Sequence, residues 1–312
     1  MNTQFDLIII GAGPAGLSAA IYAERAALNA IVIEKEMISG GQVITTYEVD
    51  NYPGLRGISG MKLAEEFREH ADALGAKFMT GEVVGVQKDG NLYSLDVVRD
   101  DKHMTLQAKA VILATGAKHR LLEVPGELEL AGMGVSYCAT CDGAFFRGRD
   151  VAVIGGGNVA VEDALFLARG CRKVYVIHRR DEFRAAKGLA NQLSRFDNVE
   201  IVWNSVVETI QGEDSVESIS LKNVKTQETS QIAVSGVFIA VGIHPTAEPF
   251  VTNLGLDVDE WGYIKAKEDC ETNREGILVA GDVRTKALRQ IVVAAADGAN
   301  AVESAIKHIK TV

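Results

Sequence analysis

A two-domain α/β fold, built twice from one strand–turn–helix–strand unit, is what this 312-residue sequence predicts, and three observations predict it. The first is an internal echo. An apolar run at Phe5–Ile10 leads into the turn Gly11-Ala12-Gly13-Pro14-Ala15-Gly16, a helical stretch through Ala27 and a second apolar run that ends at Glu34. Residues 150–180 repeat that order with Val151–Ile154, the turn Gly155-Gly156-Gly157-Asn158-Val159-Ala160, a helix to about Arg169 and the run Val174–Ile177. The second observation is register: 23 positions separate Gly11 from Glu34, and the same number separates Gly155 from His178. The third is composition, since 47% hydrophobic residues with 31 Gly and 5 Pro suit a globular α/β chain rich in tight turns. A chain of this length can bury two cores.

Both turns have the form of a dinucleotide-binding βαβ unit, in which each glycine has its own task. The first makes the sharp strand-to-helix turn, the second lets the backbone approach a pyrophosphate, and the third lets the helix pack on the strand. Ala160 takes the third place in the second copy. The helix N-terminus supplies free N–H groups and a positive dipole end to the phosphates. Gly11, Gly13, Pro14, Ala15 and Gly16 are therefore candidate ligands of one nucleotide, and Gly155, Gly157, Asn158, Val159 and Ala160 of another. The predicted architecture is two Rossmann-like three-layer dinucleotide-binding domains.

The residues after each second strand separate the two ligands. Glu34 places an acceptor where an adenosine ribose 2'-hydroxyl would lie and repels a 2'-phosphate, which suits FAD or NAD. At the matching place the second copy has His178-Arg179-Arg180, with Arg184 a helical turn further on, a cationic set that selects NADPH. A flavin in the first site is supported by Gly40-Gly41-Gln42 soon after Glu34, and by two apolar strands that stop at polar turns. One ends in Ala114-Thr115-Gly116, the other in Gly281-Asp282, with Arg289-Gln290 just beyond. Asp282 is expected to accept from a ribityl hydroxyl.

Cys138-Ala139-Thr140-Cys141-Asp142 carries the redox chemistry, because two intervening residues bring the sulfurs within reach of a reducible disulfide. A zinc site would need further ligands, and Cys171 and Cys270 are isolated, so no metal is expected. The formal charge of -10 disfavours nucleic acid as a partner. No stretch is long enough to cross a bilayer, and Asp6 with its short apolar neighbourhood is unlike a secretory signal, so a cytoplasmic chain with no membrane partner is expected.

Taken in order, Gly-Ala-Gly-Pro-Ala-Gly, Gly-Gly-Gln, Ala-Thr-Gly, Cys-Ala-Thr-Cys-Asp, Gly-Gly-Gly-Asn, His-Arg-Arg-Asp-x-Phe-Arg and Gly-Asp-Val with a later Arg-Gln resemble the bacterial low-molecular-weight NADPH-dependent thioredoxin reductases over essentially the whole chain. Val159 departs from that pattern, where Ser or Thr is usual. The resemblance implies a discontinuous FAD domain (1–116 and 247–312) into which an NADPH domain (117–246) is inserted, with the cysteines on the inserted part. It further implies that Cys141 faces the flavin, that Cys138 attacks oxidised thioredoxin, that Asp142 is the acid/base, and that the enzyme is a homodimer. Lys35, Asn51, Val84 and Ile291 complete the residues expected around the flavin. With Met1 just ahead of the first strand, the N-terminal thioredoxin-like region of peroxide-reducing relatives is expected to be absent. A flavoprotein dithiol oxidoreductase with another disulfide partner stands as the alternative. Because the cysteines and the second nucleotide turn share one segment, they are expected to alternate at the flavin by rotation about hinges that include Gly116 and Gly242.

Overall fold

The computed structural model describes residues 3–46 and 48–312. The chain divides into two units, one of residues 1–44, 52–118 and 244–312, the other of residues 45–51 and 119–243. Both are Rossmann-like.

In the first unit the strand Gln4–Ile10 runs parallel to Ala30–Glu34 on one side and to Lys102–Leu113 on the other. Ile277–Val279 pairs in parallel with the end of Lys102–Leu113, while the start of that long strand pairs antiparallel with Leu92–Arg99. Successive residues of a strand point to opposite faces, and both faces are covered here. Ile8 and Ile10 pack with Val86, Leu95 and Phe250, whereas Leu7 and Ile9 pack with Leu17, Ala20, Ala301 and Val302 of the helices Pro14–Arg25 and Ile291–Ile309. That double burial is why Leu7–Ile10, Ala30–Ile33 and Ala110–Leu113 read as unbroken apolar runs. The two helices meet closely at Gly298, where a Cβ would stand 2.2 Å from the Ala15 carbonyl oxygen.

The second unit has a five-stranded parallel sheet in the order Val199–Val202, Lys173–Ile177, Asp150–Ile154, Gly236–Ile239, Val135–Ser136. Val151 and Val153 bury against the helix Asn158–Ala168 on one face. Ala152 and Ile154 bury on the other against Val207, Ile219 and Leu221, which belong to a separate three-stranded antiparallel sheet. Helix, parallel sheet and antiparallel sheet make the three layers.

The first helix stops at Arg25, short of the expected Ala27. Ala27 turns left-handed (φ 54°), and the Leu28 N–H closes the end on the Ala23 carbonyl at 3.1 Å. This is a Schellman-type stop made without glycine, so nothing in the residue pattern marks it. The chain passes between units at 118/119 and 243/244, inside the strands Ala117–His119 and Ile243–Pro245.

Candidate active site

The first nucleotide turn is built as its glycines require. Gly11 is left-handed (φ 104°), and a Cβ on it would lie 2.4 Å from the Ala114 carbonyl oxygen; one on Gly16 would lie 1.9 Å from the Gly11 oxygen. Around Gly13, by contrast, a Cβ would meet nothing within 4 Å, so this glycine opens a cradle. Pro14 starts the helix, its missing N–H costing no bond there. Glu34 Oε2 accepts from the Ala12 N–H at 2.6 Å and Oε1 from the Glu36 N–H at 3.0 Å, which fixes the carboxylate at the strand end with lone pairs to spare.

Three loops distant in sequence close on that turn. The Gly40 N–H donates to the Ala12 carbonyl at 2.7 Å, and Gly41 lies against Gly13, with 3.4 Å from its would-be Cβ to Gly13 Cα. Gln42 Nε2 donates to the Ala117 carbonyl at 2.6 Å, and Thr115 Oγ1 to the Thr246 carbonyl at 2.5 Å, so these two side chains brace the strand end. Gly281 sits over Ala15, where a Cβ would come within 3.0 Å of the alanine methyl. Asp282 Oδ1 and Arg289 Nε are buried and have no partner. Burial raises the Asp282 carboxyl, against Lys286 and Arg289, which lower it. The Arg289 guanidinium lies 3.9 Å over the Tyr263 ring, and Gln290 and Ile291 lead into the final helix. An open glycine cradle beside orphaned buried polar atoms fits a long polyhydroxylated dinucleotide. Lys35 pairs with Glu82 at 2.8 Å, Val84 is exposed on the neighbouring strand, and Asn51 falls in the stretch 45–51 that groups with the other unit.

The second turn repeats the construction. A Cβ on Gly155 would lie 2.4 Å from the Ala240 oxygen and 2.8 Å from the Ala160 methyl, while Gly157 again opens on free space. His178 is buried, its ring stands under Gly156 and bonds the Glu182 carbonyl at 3.1 Å, so it forms the floor of the turn. Residues 179–186 form bends, not the helical turn expected for Arg184. They dock onto the turn instead: the Arg184 N–H donates to the Gly156 carbonyl at 2.8 Å, and the Ala186 N–H to Asn158 Oδ1 at 3.0 Å. Arg179, Arg180 and Arg184 are exposed and, among the described residues, in no ion pair, because the neighbouring Asp181 is held by Lys225 at 2.6 Å. Val159 is exposed at the helix start. A rim of guanidiniums in no ion pair beside an open glycine turn fits a nucleotide with an additional phosphate.

Cys138 and Cys141 are joined as a disulfide with 5.3 Å between Cα atoms. Cys138 caps a short helical turn, and its carbonyl accepts from the Cys141 N–H at 3.2 Å and the Asp142 N–H at 3.1 Å. Both cysteines are half-buried, and the Thr140 hydroxyl stands 3.4 Å from Cys138 Sγ. Asp142 Oδ2 accepts from Ser136 Oγ at 2.6 Å, whereas Oδ1 is buried without a partner. Burial raises this carboxyl, and the Ser136 hydroxyl counters it.

Residues 5–298 match the family described as Pyridine nucleotide-disulphide oxidoreductase. The chain belongs to that family. A thioredoxin reductase of Bacillus subtilis is 44% identical over 309 residues, 98% of this chain and 95% of that one. One of Peptoclostridium acidaminophilum is 44% identical over 317 residues, 99% and 98% of the two chains. The crystal structure of thioredoxin reductase from Streptococcus pyogenes superposes with a TM-score of 0.93 at 42% identity, covering all of both chains.

In this member of the family, two supporting networks escaped the sequence reading. Asp297, in the final helix, is buried and accepts from the Gly281 N–H at 2.9 Å, from Arg284 at 2.7 and 2.9 Å, and from Lys286 at 2.5 Å. It therefore holds the Gly281-Asp282 turn from behind. The one hint was an acid directly after the apolar run Ile291–Ala296. Burial would raise the Asp297 carboxyl, but Arg284 and Lys286 outweigh it and hold the group below the usual carboxylate range. Its contribution to stability is therefore complete above the unfolded carboxyl value of about 4 and lost as pH falls through the lower folded value. Asp297→Asn strands two buried cations and is expected to cost about 3–5 kcal/mol, read as a drop in thermal midpoint at pH 7 that shrinks as pH falls through the lowered folded value of the carboxyl. In the other unit, buried Glu127 accepts from the Leu122 and Glu123 N–H groups (3.0 and 2.7 Å) and from the Tyr137 hydroxyl (2.9 Å), anchoring the approach to Cys138.

Cys171 and Cys270 are buried, their thiols pushed up by that burial to about 11 and about 12, which leaves them inert at neutral pH. Among the described residues no group of three His, Cys, Asp or Glu could hold a metal.

Proposed function

We propose that the chain is an NADPH-dependent thioredoxin-disulfide reductase with FAD in the first unit. The observation that carries this reading is the Cys138–Cys141 disulfide in the same unit as the arginine-rimmed turn. FAD, when bound, takes a hydride from nicotinamide and delivers two electrons to a disulfide. The turn Gly11–Gly16, Glu34, Gly41 and Asp282 would hold it, and the turn Gly155–Ala160 with Arg179, Arg180 and Arg184 would hold NADPH. Cys141 is the sulfur on the flavin side. Cys138 attacks the partner disulfide, and Asp142 moves the proton at its free Oδ1.

A homodimer is the assembly proposed, with the cytoplasm as its compartment. No helix among the described residues is long and apolar enough to cross a membrane, and cysteines kept as two buried thiols and one exchangeable pair suit a reducing milieu. The purified protein is expected to be yellow and to reduce a bacterial thioredoxin with NADPH, followed as NADPH absorbance at 340 nm alongside the flavin band. A protein that stays colourless after incubation with FAD refutes the flavin. One that is yellow but reduces another disulfide protein and no thioredoxin refutes the partner alone.

A further inference from the structure

We propose that Ser136 is a positioning residue for the dithiol chemistry: its hydroxyl clamps one oxygen of Asp142 and the N–H of Cys138 together, so that the other carboxylate oxygen is presented for proton transfer. This rests on the reading of Cys138–Cys141 as the redox pair. Ser136 is buried and ends the edge strand Val135–Ser136, whose Cα partners are Val237 and the fully buried Phe238, so it stands on the rigid sheet and not on the turn it serves. Its Oγ lies 2.6 Å from Asp142 Oδ2, 3.4 Å from the Cys138 carbonyl and 3.1 Å from the Cys138 nitrogen. A hydroxyl has one hydrogen. The short contact to the carboxylate takes it, and a lone pair receives the Cys138 N–H. With Oδ2 fixed, the buried and unpartnered Oδ1 is the oxygen left to exchange a proton.

The stoichiometry of the reaction needs such a group. NADPH supplies a hydride, which is two electrons and one proton, whereas conversion of the Cys138–Cys141 disulfide to two thiols consumes two electrons and two protons. The second proton must come from an acid. Both protons leave as the partner's two thiols when the dithiol passes its electrons on, so solvent must reprotonate that acid once per cycle.

Other titrating groups have to be separated from this one. The helix Asn158–Ala168, packed on the dithiol segment, carries Glu162 and Asp163, and burial, with Glu162 adding to it, pushes the Asp163 carboxyl up to about 7. The strand Gly236–Ile239 carries no charge. Asp142 itself responds to burial first and to Ser136 second, and neither helix acid acts on it.

The test is the rate at which NADPH turns the enzyme's own disulfide into two alkylatable thiols, measured against pH in the flavin-loaded full chain. Because the serine donates to the charged carboxylate, Ser136→Ala should move the apparent pKa of that profile upward and slow the step by about tenfold or more, part of the range typical of acid/base groups. Ser136→Thr, which keeps the hydroxyl, should restore both, and Ser136→Ala should add nothing to Asp142→Asn. The shift should persist in an Asp163→Asn background. Should Ser136→Ala not fold, Ser136→Gly removes the same hydroxyl. A lowered thermal midpoint with the parent pH profile would overturn the proposal and leave Ser136 as packing only. A parent enzyme whose disulfide NADPH does not open would overturn both this proposal and the function beneath it.

Discussion

Cys138→Ser and Cys141→Ser should each lower thioredoxin turnover by on the order of 10⁴-fold or more, since neither leaves a disulfide to accept electrons. The two variants should nevertheless fail differently. In Cys141→Ser the remaining Cys138 thiol, beside the exposed Thr140, keeps its access to a partner and should trap thioredoxin as a mixed disulfide visible on a non-reducing gel. In Cys138→Ser the remaining Cys141 thiol should perturb the flavin absorbance and trap nothing. Both should retain NADPH-driven flavin reduction, because the nucleotide turns share no side chain with the disulfide. Trapping by the Cys138→Ser variant in place of the other would reverse the assignment of the two sulfurs, and parent-like turnover by either would end the dithiol mechanism.

The second large effect is on nucleotide choice. Arg179→Ala with Arg180→Ala should reduce the preference of kcat/KM for NADPH over NADH by about a hundredfold, the combined weight of two charge-assisted contacts after solvent screening. The loss should fall mainly on KM for NADPH, with KM for NADH little changed. Salt is expected to mimic the variant in part: raising ionic strength should weaken NADPH binding to the parent more than to the double variant, because these guanidiniums are exposed. An unchanged NADPH/NADH ratio would place the 2'-phosphate elsewhere.

Whatever rests on local backbone demands is legible in the sequence. The two glycine turns were legible because a left-handed Gly11 and a crowded Gly16 admit no side chain, and those constraints leave the same spacing wherever they occur. Glu34 and Arg179-Arg180 were legible through register, since strand and helix lengths fix where the second strand of each βαβ unit must end. The cysteine pair was legible because three positions of chain already bring two Cα atoms to 5.3 Å.

The rest depended on contacts between residues remote in sequence, which no local pattern encodes. Asp297 reads as one of two acids on the final helix until folding sets it against Gly281, Arg284 and Lys286. Ser136 reads as an ordinary strand residue until the turn returns Asp142 to it. His178, expected to line the nucleotide, is packed beneath Gly156, and Arg184 reaches the rim on a bend and not on a helix. The sequence by itself therefore determined the class of fold, the two open glycine turns and the cysteine pair, because each follows from steric and spacing rules acting over a few residues. Only the tertiary structure decided which buried charges hold those parts in place and which carboxylate oxygen is left free, because burial and hydrogen-bond partnership are properties of the packed chain.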